Sequence, residues 1–157
     1  MEEAVMLKVL RILVPVDFSK ESDLALEWAV MVARKTSGAT IYALHVLPLP
    51  GEPKTLGFGS VGYEMEQEAV EKKLNDLLRK IPGEILSMAI LEKGRTPDVV
   101  TRICEQKDID LVVMTTRGRR GLKHFLPEST TEDTVRRAPC PVLVLHLNAK
   151  NQPAKAE

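Results

Sequence analysis

Aromatic residues are scarce in this 157-residue chain, with three Phe, two Tyr and one Trp, and cysteine is scarcer still, confined to Cys104 and Cys140. Two cysteines isolated in sequence exclude a disulfide framework and a CxxC redox or zinc knuckle, and they fit a reducing compartment. Net charge is missing as well, because 22 basic and 22 acidic side chains cancel. A global pull toward nucleic acid or anionic lipid is therefore absent, which leaves such a role to a local basic patch alone. Long hydrophobic runs are also lacking, and no stretch approaches the roughly 20 apolar residues that a membrane span needs. The opening residues, with Glu2 and Glu3, are too acidic and too short for a signal peptide. The chain is expected to be cytoplasmic, with neither nucleic acid nor membrane as a partner. Residues 1–147 are long enough to form one domain with its own core, and the polar tail 148–157 is expected to be disordered.

What the chain has in quantity is aliphatic residues, 44% of it being hydrophobic. They fall into strand-length runs separated by stretches of helical spacing. Residues 9–16 leave almost no polar face, as expected of a strand buried on both sides. Over residues 22–35, Leu24, Ala25, Trp28, Met31 and Val32 mark one helix face, closed by Gly38. Residues 40–46 read as a second strand. Residues 63–81 repeat the helical spacing through Val70, Leu74, Leu77, Leu78 and Ile81 before Pro82-Gly83, and a third strand follows at 85–91. Thr96-Pro97-Asp98 predicts an N-cap, a first-turn proline and an acid at the positive end of a helix running from Pro97 to Lys107. A strand at 110–115, a helix at 129–137 and a strand at 141–147 complete the series.

Strict alternation of buried strands and helices means a parallel sheet covered on both faces, because parallel neighbours need crossover connections. Ligands in such α/β folds bind at the carboxyl ends of the strands, where strand order reverses. Attention therefore falls on Asp17, on residues 46–50, 92–95 and 115–121. A literal GxGxxG occurs at residues 57–62. A dinucleotide fingerprint must lie directly between a strand and its helix, whereas Pro48, Pro50 and Pro53 intervene here, so this stretch reads as a mobile loop. Thr115-Thr116-Arg117-Gly118-Arg119-Arg120-Gly121 follows the fourth strand, and Ser129-Thr130-Thr131-Glu132 forms a capping box at the next helix. A glycine loop leading to a helix N-terminus can collect a phosphate through backbone N–H groups. A capped helix beside a solvated arginine loop explains the same residues equally well.

Catalytic constellations are poor. His45, His124 and His146 are dispersed, no Ser or Cys has an adjacent base, and neither metal ligands nor catalytic residues are expected. His45 and His146 fall within strands, where a packed or edge histidine is the simpler account. Cys140, between Pro139 and Pro141, reads as a small apolar filler. A phosphoacceptor receiver domain shares the alternation, yet Leu91 stands where its aspartate belongs and His146-Leu147-Asn148 where its lysine belongs.

Ile12-Leu13-Val14-Pro15-Val16-Asp17-Phe18-Ser19, Gly94, Asp110-Leu111-Val112-Val113-Met114 and Ala138-Pro139-Cys140-Pro141-Val142 together resemble the universal stress protein (UspA-like) family over nearly the whole chain. The resemblance implies a Rossmann-like, five-stranded α/β domain of the adenine nucleotide alpha hydrolase kind that usually dimerises. It also implies that the first and fourth strands flank the switch point, with Asp17 and Gly118 close together. One branch of the family holds ATP through a loop of pattern G-x2-G-x9-G-[ST], with an aspartate after the first strand near the adenosine and a backbone contact from the end of the second. Laid on this chain, that pattern falls on Thr115, Gly118, Glu128 and Ser129, so two of three glycines are replaced.

The candidate nucleotide site is accordingly Pro15, Val16, Asp17, Val46, Met114, Thr115, Arg117, Gly118, Glu128, Ser129 and Thr130. Its nucleoside half is intact and its phosphate half altered. Threonine adds a branched Cβ and glutamate a carboxylate, and like charges about 4 Å apart repel by ~1 kcal/mol in water and ~4 at an effective dielectric of 20. The expected function is a stress-response regulatory or interaction module with weak or absent adenine-nucleotide binding and no obligatory cofactor. An ATP sensor using the same crevice is the alternative, since Arg117, Arg119, Arg120 and Lys123 crowd the loop, and an ATP hydrolase or phosphotransferase lacks a base. The last strand, with Val142, Val144 and His146 on one face, is expected to pair with its copy in a homodimer.

Overall fold

A computed structural model describes residues 8–49, 63–116 and 130–146. Within these stretches the order is β1 (Arg11–Pro15), α1 (Lys20–Arg34), β2 (Thr40–Leu47), α2 (Tyr63–Leu78), β3 (Leu86–Lys93), α3 (Thr96–Gln106), β4 (Leu111–Thr116), α4 (Thr130–Arg137) and β5 (Val142–His146). The strands form one parallel sheet in the order β3-β2-β1-β4-β5. The expected five-stranded α/β architecture is what forms, with β1 and β4 adjacent at the reversal of strand order. The 57–62 glycine stretch and the 148–157 tail lie outside the described residues.

Successive strand side chains leave by opposite faces, and both faces here are covered. Ile12 and Val14 join Leu24 and Ala29 of α1 and Val70 and Leu74 of α2. Leu13 instead joins Val99, Val100 and Ile103 of α3. This is why β1 reads as an unbroken apolar run, all of Ile12, Leu13 and Val14 being 0% exposed.

Local details depart from the sequence expectation. The first strand starts at Arg11, because the Asp110 carboxylate accepts the backbone N–H of Leu10 at 2.9 Å and of Arg11 at 2.8 Å before the ladder begins. The core face of α1 runs through Leu24, Ala25, Leu26, Ala29 and Ala33, while Met31 is exposed. Small alanines let this helix lie close on the sheet, and Met31 falls outside that contact. Thr96 does not cap α3: Arg95 is the N-cap without a side-chain bond, and Thr96 is already helical. The cysteines, distant in sequence, are neighbours in space, with their sulfurs 3.9 Å apart beneath α3.

Backbone hydrogen bonds fix where the sheet opens. In a parallel ladder, alternate residues turn their N–H and C=O toward alternate neighbours. Leu10 O accepts from Thr40 N and Val16 N donates to Leu44 O, so even-numbered residues of β1 face β2. Arg11 O accepts from Asp110 N, so odd-numbered residues face β4. Pro15, lacking an N–H, therefore removes a donor on the β4 side alone. In agreement, β1 pairs with β2 from Arg11 to Pro15 but with β4 only at Ile12 and Leu13.

Gly94 closes the far side of this end of the sheet. Its N–H donates to Leu47 O at 2.9 Å, its φ is +140°, and a Cβ there would stand 3.1 Å from Val99 Cγ2. Gly94→Ala should therefore destabilise the fold by about 1–3 kcal/mol, combining backbone strain with a crowded core contact. Gly83→Ala, with nothing within 4 Å of the new Cβ, should change stability by no more than about 0.5 kcal/mol. Urea unfolding of the two variants beside the parent checks the contrast.

Candidate functional site

The candidate site lies at the carboxyl ends of β1 and β4, where the strand order reverses. Ser19 anchors its first wall. Its hydroxyl accepts from Ser22 N at 3.2 Å as the N-cap of α1 and donates to Asp17 Oδ1. The same carboxylate oxygen accepts from Ser19 N at 3.0 Å. Ser22, 5% exposed, donates its hydroxyl to Ser19 O at 3.1 Å and accepts from Asp17 N at 3.4 Å. Each hydroxyl thus gives one bond and receives one, and the Asp17 side chain is held against the entry to α1. An Asx-type turn followed by a serine cap is what the Asp-x-Ser spacing encodes.

His45 anchors the second wall. It is 2% exposed, and its Nδ1 lies 2.7 Å from Val16 O. A protonated Nδ1 donates to that carbonyl, which β1 presents toward β2 just where the ladder ends. The Phe18 ring stacks on the imidazole at 4.8 Å between centroids, and Lys73 Nζ stands 5.6 Å above Phe18. Phe18 has φ +62°, a left-handed conformation uncommon outside glycine, and it turns the chain sharply from β1 into α1. Sequence reasoning gave His45 a packing role and missed this bond to the site's backbone. Its place directly before Val46 on the second strand was the available signal.

Met114 and Val46 stand at the carboxyl ends of β4 and β2 at 6% and 8% exposure, packed in the same cluster as Val99 and Leu13. Thr115 belongs to β4, opposite Leu145 of β5, and its carbonyl accepts from Thr131 Oγ1 at 3.3 Å. That bond places the first turn of α4, which begins at Thr130, against the end of β4. Of the sequence-predicted set, Pro15, Val16, Asp17, Val46, Met114, Thr115 and Thr130 are described; Arg117, Gly118, Glu128 and Ser129 lie outside the described residues, and with them the expected approach of Gly118 to Asp17. Among described residues other than glycine, positive φ occurs at Phe18 and Asp108, so Thr115 sits in ordinary strand conformation. Its departure from glycine is therefore steric and involves no backbone strain.

Charge holds α4 from outside. Arg95 reaches Asp98 at 3.8 Å and Asp133 at 3.5 Å, while Arg137 pairs with Asp98 and lies 3.7 Å from Asp133. The hydrogen bond that Arg137 donates to the Asp98 carboxylate raises the Arg137 pKa above its ordinary value. Among the described residues no group of three His, Cys, Asp or Glu side chains could hold a metal ion, and no helix is long and apolar enough to cross a membrane.

A family model, described as the universal stress protein family, matches residues 8–146. The chain belongs to the universal stress protein family. It is 31% identical over 144 residues to the universal stress protein MJ0531 of Methanocaldococcus jannaschii, covering 86% of this chain and 81% of that protein. The fold superimposes on a structure of MJ0577 from the same organism with TM-score 0.69 at 22% identity, covering 89% of this chain and 97% of the other. A universal stress protein in complex with cAMP matches with TM-score 0.65 at 19% identity over 88% of this chain and 98% of the other. An Archaeoglobus fulgidus universal stress protein in complex with dAMP matches with TM-score 0.62 at 22% identity, again over 88% and 98%. At these identities the structural likeness establishes the fold that this universal stress protein family member shares with them.

Ser19 serves both the helix and the aspartate. Ser19→Ala should cost about 1 kcal/mol of stability, within the range for losing an N-cap, while Ser19→Thr, which keeps a hydroxyl, should recover most of it. Chemical denaturation of both variants measures the difference.

Proposed function

We propose that this universal stress protein family member is a regulatory module that takes an adenine nucleotide by its nucleoside end and grips polyphosphate weakly or not at all. The observation that carries this reading is the constructed turn at Val16, Asp17 and Ser19, which holds a carboxylate at the end of β1, between the strand ends that carry the apolar Val46 and Met114. A carboxylate is a hydroxyl acceptor suited to a ribose, and apolar side chains suit a base. Two structural relatives were solved with cAMP and dAMP, adenine nucleotides with a single phosphate. On the phosphate side, Thr115 adds a branched side chain at the end of β4, and Glu128 adds a negative charge in the position that the family's pattern gives to glycine.

Replacing both residues tests the reading. Thr115→Gly combined with Glu128→Gly should raise ATP affinity at least tenfold, the scale of one like-charge contact removed, measured by isothermal titration calorimetry. AMP affinity should change little. Micromolar or tighter ATP binding by the unmodified chain would instead support an ATP sensor that uses Arg117, Arg119, Arg120 and Lys123.

The same reading includes a homodimer built through β5. This strand ends the sheet, with Val142, Leu143 and Val144 half-buried. Pro141 O accepts from Val112 N of β4, so the alternation directs Leu143 and Leu145 toward β4 and the backbone groups of Val142, Val144 and His146 toward the outer edge. Val144→Pro therefore removes an outward donor and spares the bonds to β4. Light scattering should report a folded monomer for Val144→Pro and a dimer for the parent. A parent chain that sediments as a monomer at tens of micromolar, or a proline variant that stays dimeric, would show that β5 is not the interface.

A further inference from the structure

We propose that Cys104 and Cys140 are a modification site, a dithiol that a peroxide converts reversibly into an intramolecular disulfide joining α3 to the chain entering β5. The two sulfurs lie 3.9 Å apart, although 36 positions separate the residues in sequence. Cys104 sits in the last turn of α3 at 2% exposure, among Leu13, Val100 and Ile103. Cys140 is half-buried, in the short link between Arg137 and Val142 that belongs to neither helix nor strand. A disulfide requires the sulfurs to close by roughly 2 Å, to a bond of about 2.05 Å. That approach falls to the link at Cys140, which belongs to neither helix nor strand, since α3 is fixed by its packed face.

The two thiols differ in the way a stepwise oxidation needs. Burial pushes the Cys104 thiol up to about 12, aided by the neighbouring Cys140. Burial raises Cys140 as well, but the Cys104 thiol and the Val112 N–H both favour its thiolate. Cys140, the more accessible thiol, attacks first. Its thiolate displaces one peroxide oxygen, the O–O bond breaks, and with one proton taken up a water leaves, so that Cys140 becomes a sulfenic acid. The Cys104 sulfur then attacks the Cys140 sulfur, the S–O bond breaks, and the sulfenic hydroxyl departs as water with the Cys104 proton. Two thiols lose two electrons in all, and one peroxide becomes two waters. Because both thiols are held above their ordinary range, the reaction is slow near neutrality and accelerates with pH as the thiolate fraction rises.

The closed ring would contain β4 and α4 and so embrace the strand end that carries Thr115. Cross-linking a loop of this length constrains the unfolded chain, so the oxidised protein should melt about 5–10 °C higher than the reduced one. The test uses the full native chain, treated with hydrogen peroxide and alkylated to block unreacted thiols. Trypsin should then release residues 103–107 joined to residues 138–150, two hydrogens lighter than the separate peptides, and dithiothreitol should part them. The rate of linkage should increase from pH 7 to pH 9. Cys104→Ser and Cys140→Ser should each abolish the linked peptide. The proposal fails if native chains keep both thiols alkylatable while denatured chains cross-link under the same peroxide. It fails equally if Cys140 proceeds to sulfinic acid with Cys104 intact, or if the bridge joins two chains.

Discussion

The missing N–H of Pro15 is the constraint around which the sheet is arranged. It lies on the central strand, where proline is ordinarily excluded because both edges are paired. It is tolerated at the strand's last residue, and only on the side facing β4, where the register has already ended at Leu13. The opposite side of the same residue position remains joined to β2 through the Val16 N–H to Leu44 O bond. The strands therefore part between β1 and β4 and stay together between β1 and β2. That parting at the strand-order reversal follows from one absent donor as well as from the crossover directions. At the other end of the seam the Asp110 carboxylate does the converse, gathering two N–H groups so that β1 and β4 start in register.

The turn that leaves β1 is then held by a set of mutually supporting hydrogen bonds. Val16 O meets His45, Asp17 Oδ1 meets Ser19, and both serine hydroxyls close on the backbone. Preorganisation of this kind lowers the ordering cost that a ligand would otherwise bear. It also explains a left-handed Phe18: the ring gains His45 on one side and Lys73 nearby, contacts that offset the ordinary cost of a positive φ outside glycine.

Much of this was legible in the sequence, but unevenly. Strands buried on both faces announce themselves as unbroken aliphatic runs, so β1, β2 and β4 and the parallel architecture could be read directly. The α1 face was read in part: Leu24 and Ala25 are buried and Trp28 and Val32 pack against the core, but Met31 is exposed, and Ala29 and Ala33 were passed over because alanines weigh little on any hydrophobicity scale, although small residues are what permits close approach to a sheet. Helix α3 starts one residue before Pro97, since a proline is as well accommodated at the second helical position as at the first. Asp17, Val46 and Thr115 became candidates through family resemblance. His45 did not, because a buried ring nitrogen reveals its partner only when Val16 O is placed 2.7 Å away. The meeting of Cys104 and Cys140 was equally invisible, being set by where α3 ends over the start of β5, a tertiary relation that no spacing rule encodes. Asp17 and Ser19 form the opposite case, in which a local three-residue pattern fixes the geometry by itself.

The two halves of the proposed nucleotide site rest on different kinds of support. The nucleoside half stands on β1, β2 and the apolar core, where Leu13, Leu44 and Val112 are all 0% exposed. The phosphate half leans on α4, whose buried residues are Thr131 and Thr134. This helix is held by a threonine bond to Thr115 O and by the ring of Arg95, Asp98, Asp133 and Arg137, and exposed ion pairs of that type contribute at most about 1 kcal/mol each. Changes at the end of β4 and the start of α4 therefore disturb little of the packed core. A loop of the family's pattern can lose two glycines there while the sheet, the Asp17 turn and the β5 edge are all retained. In the proposed reading the fold is maintained by one set of residues and polyphosphate affinity is tuned by another, and the boundary between the two sets runs along the seam that Pro15 opens.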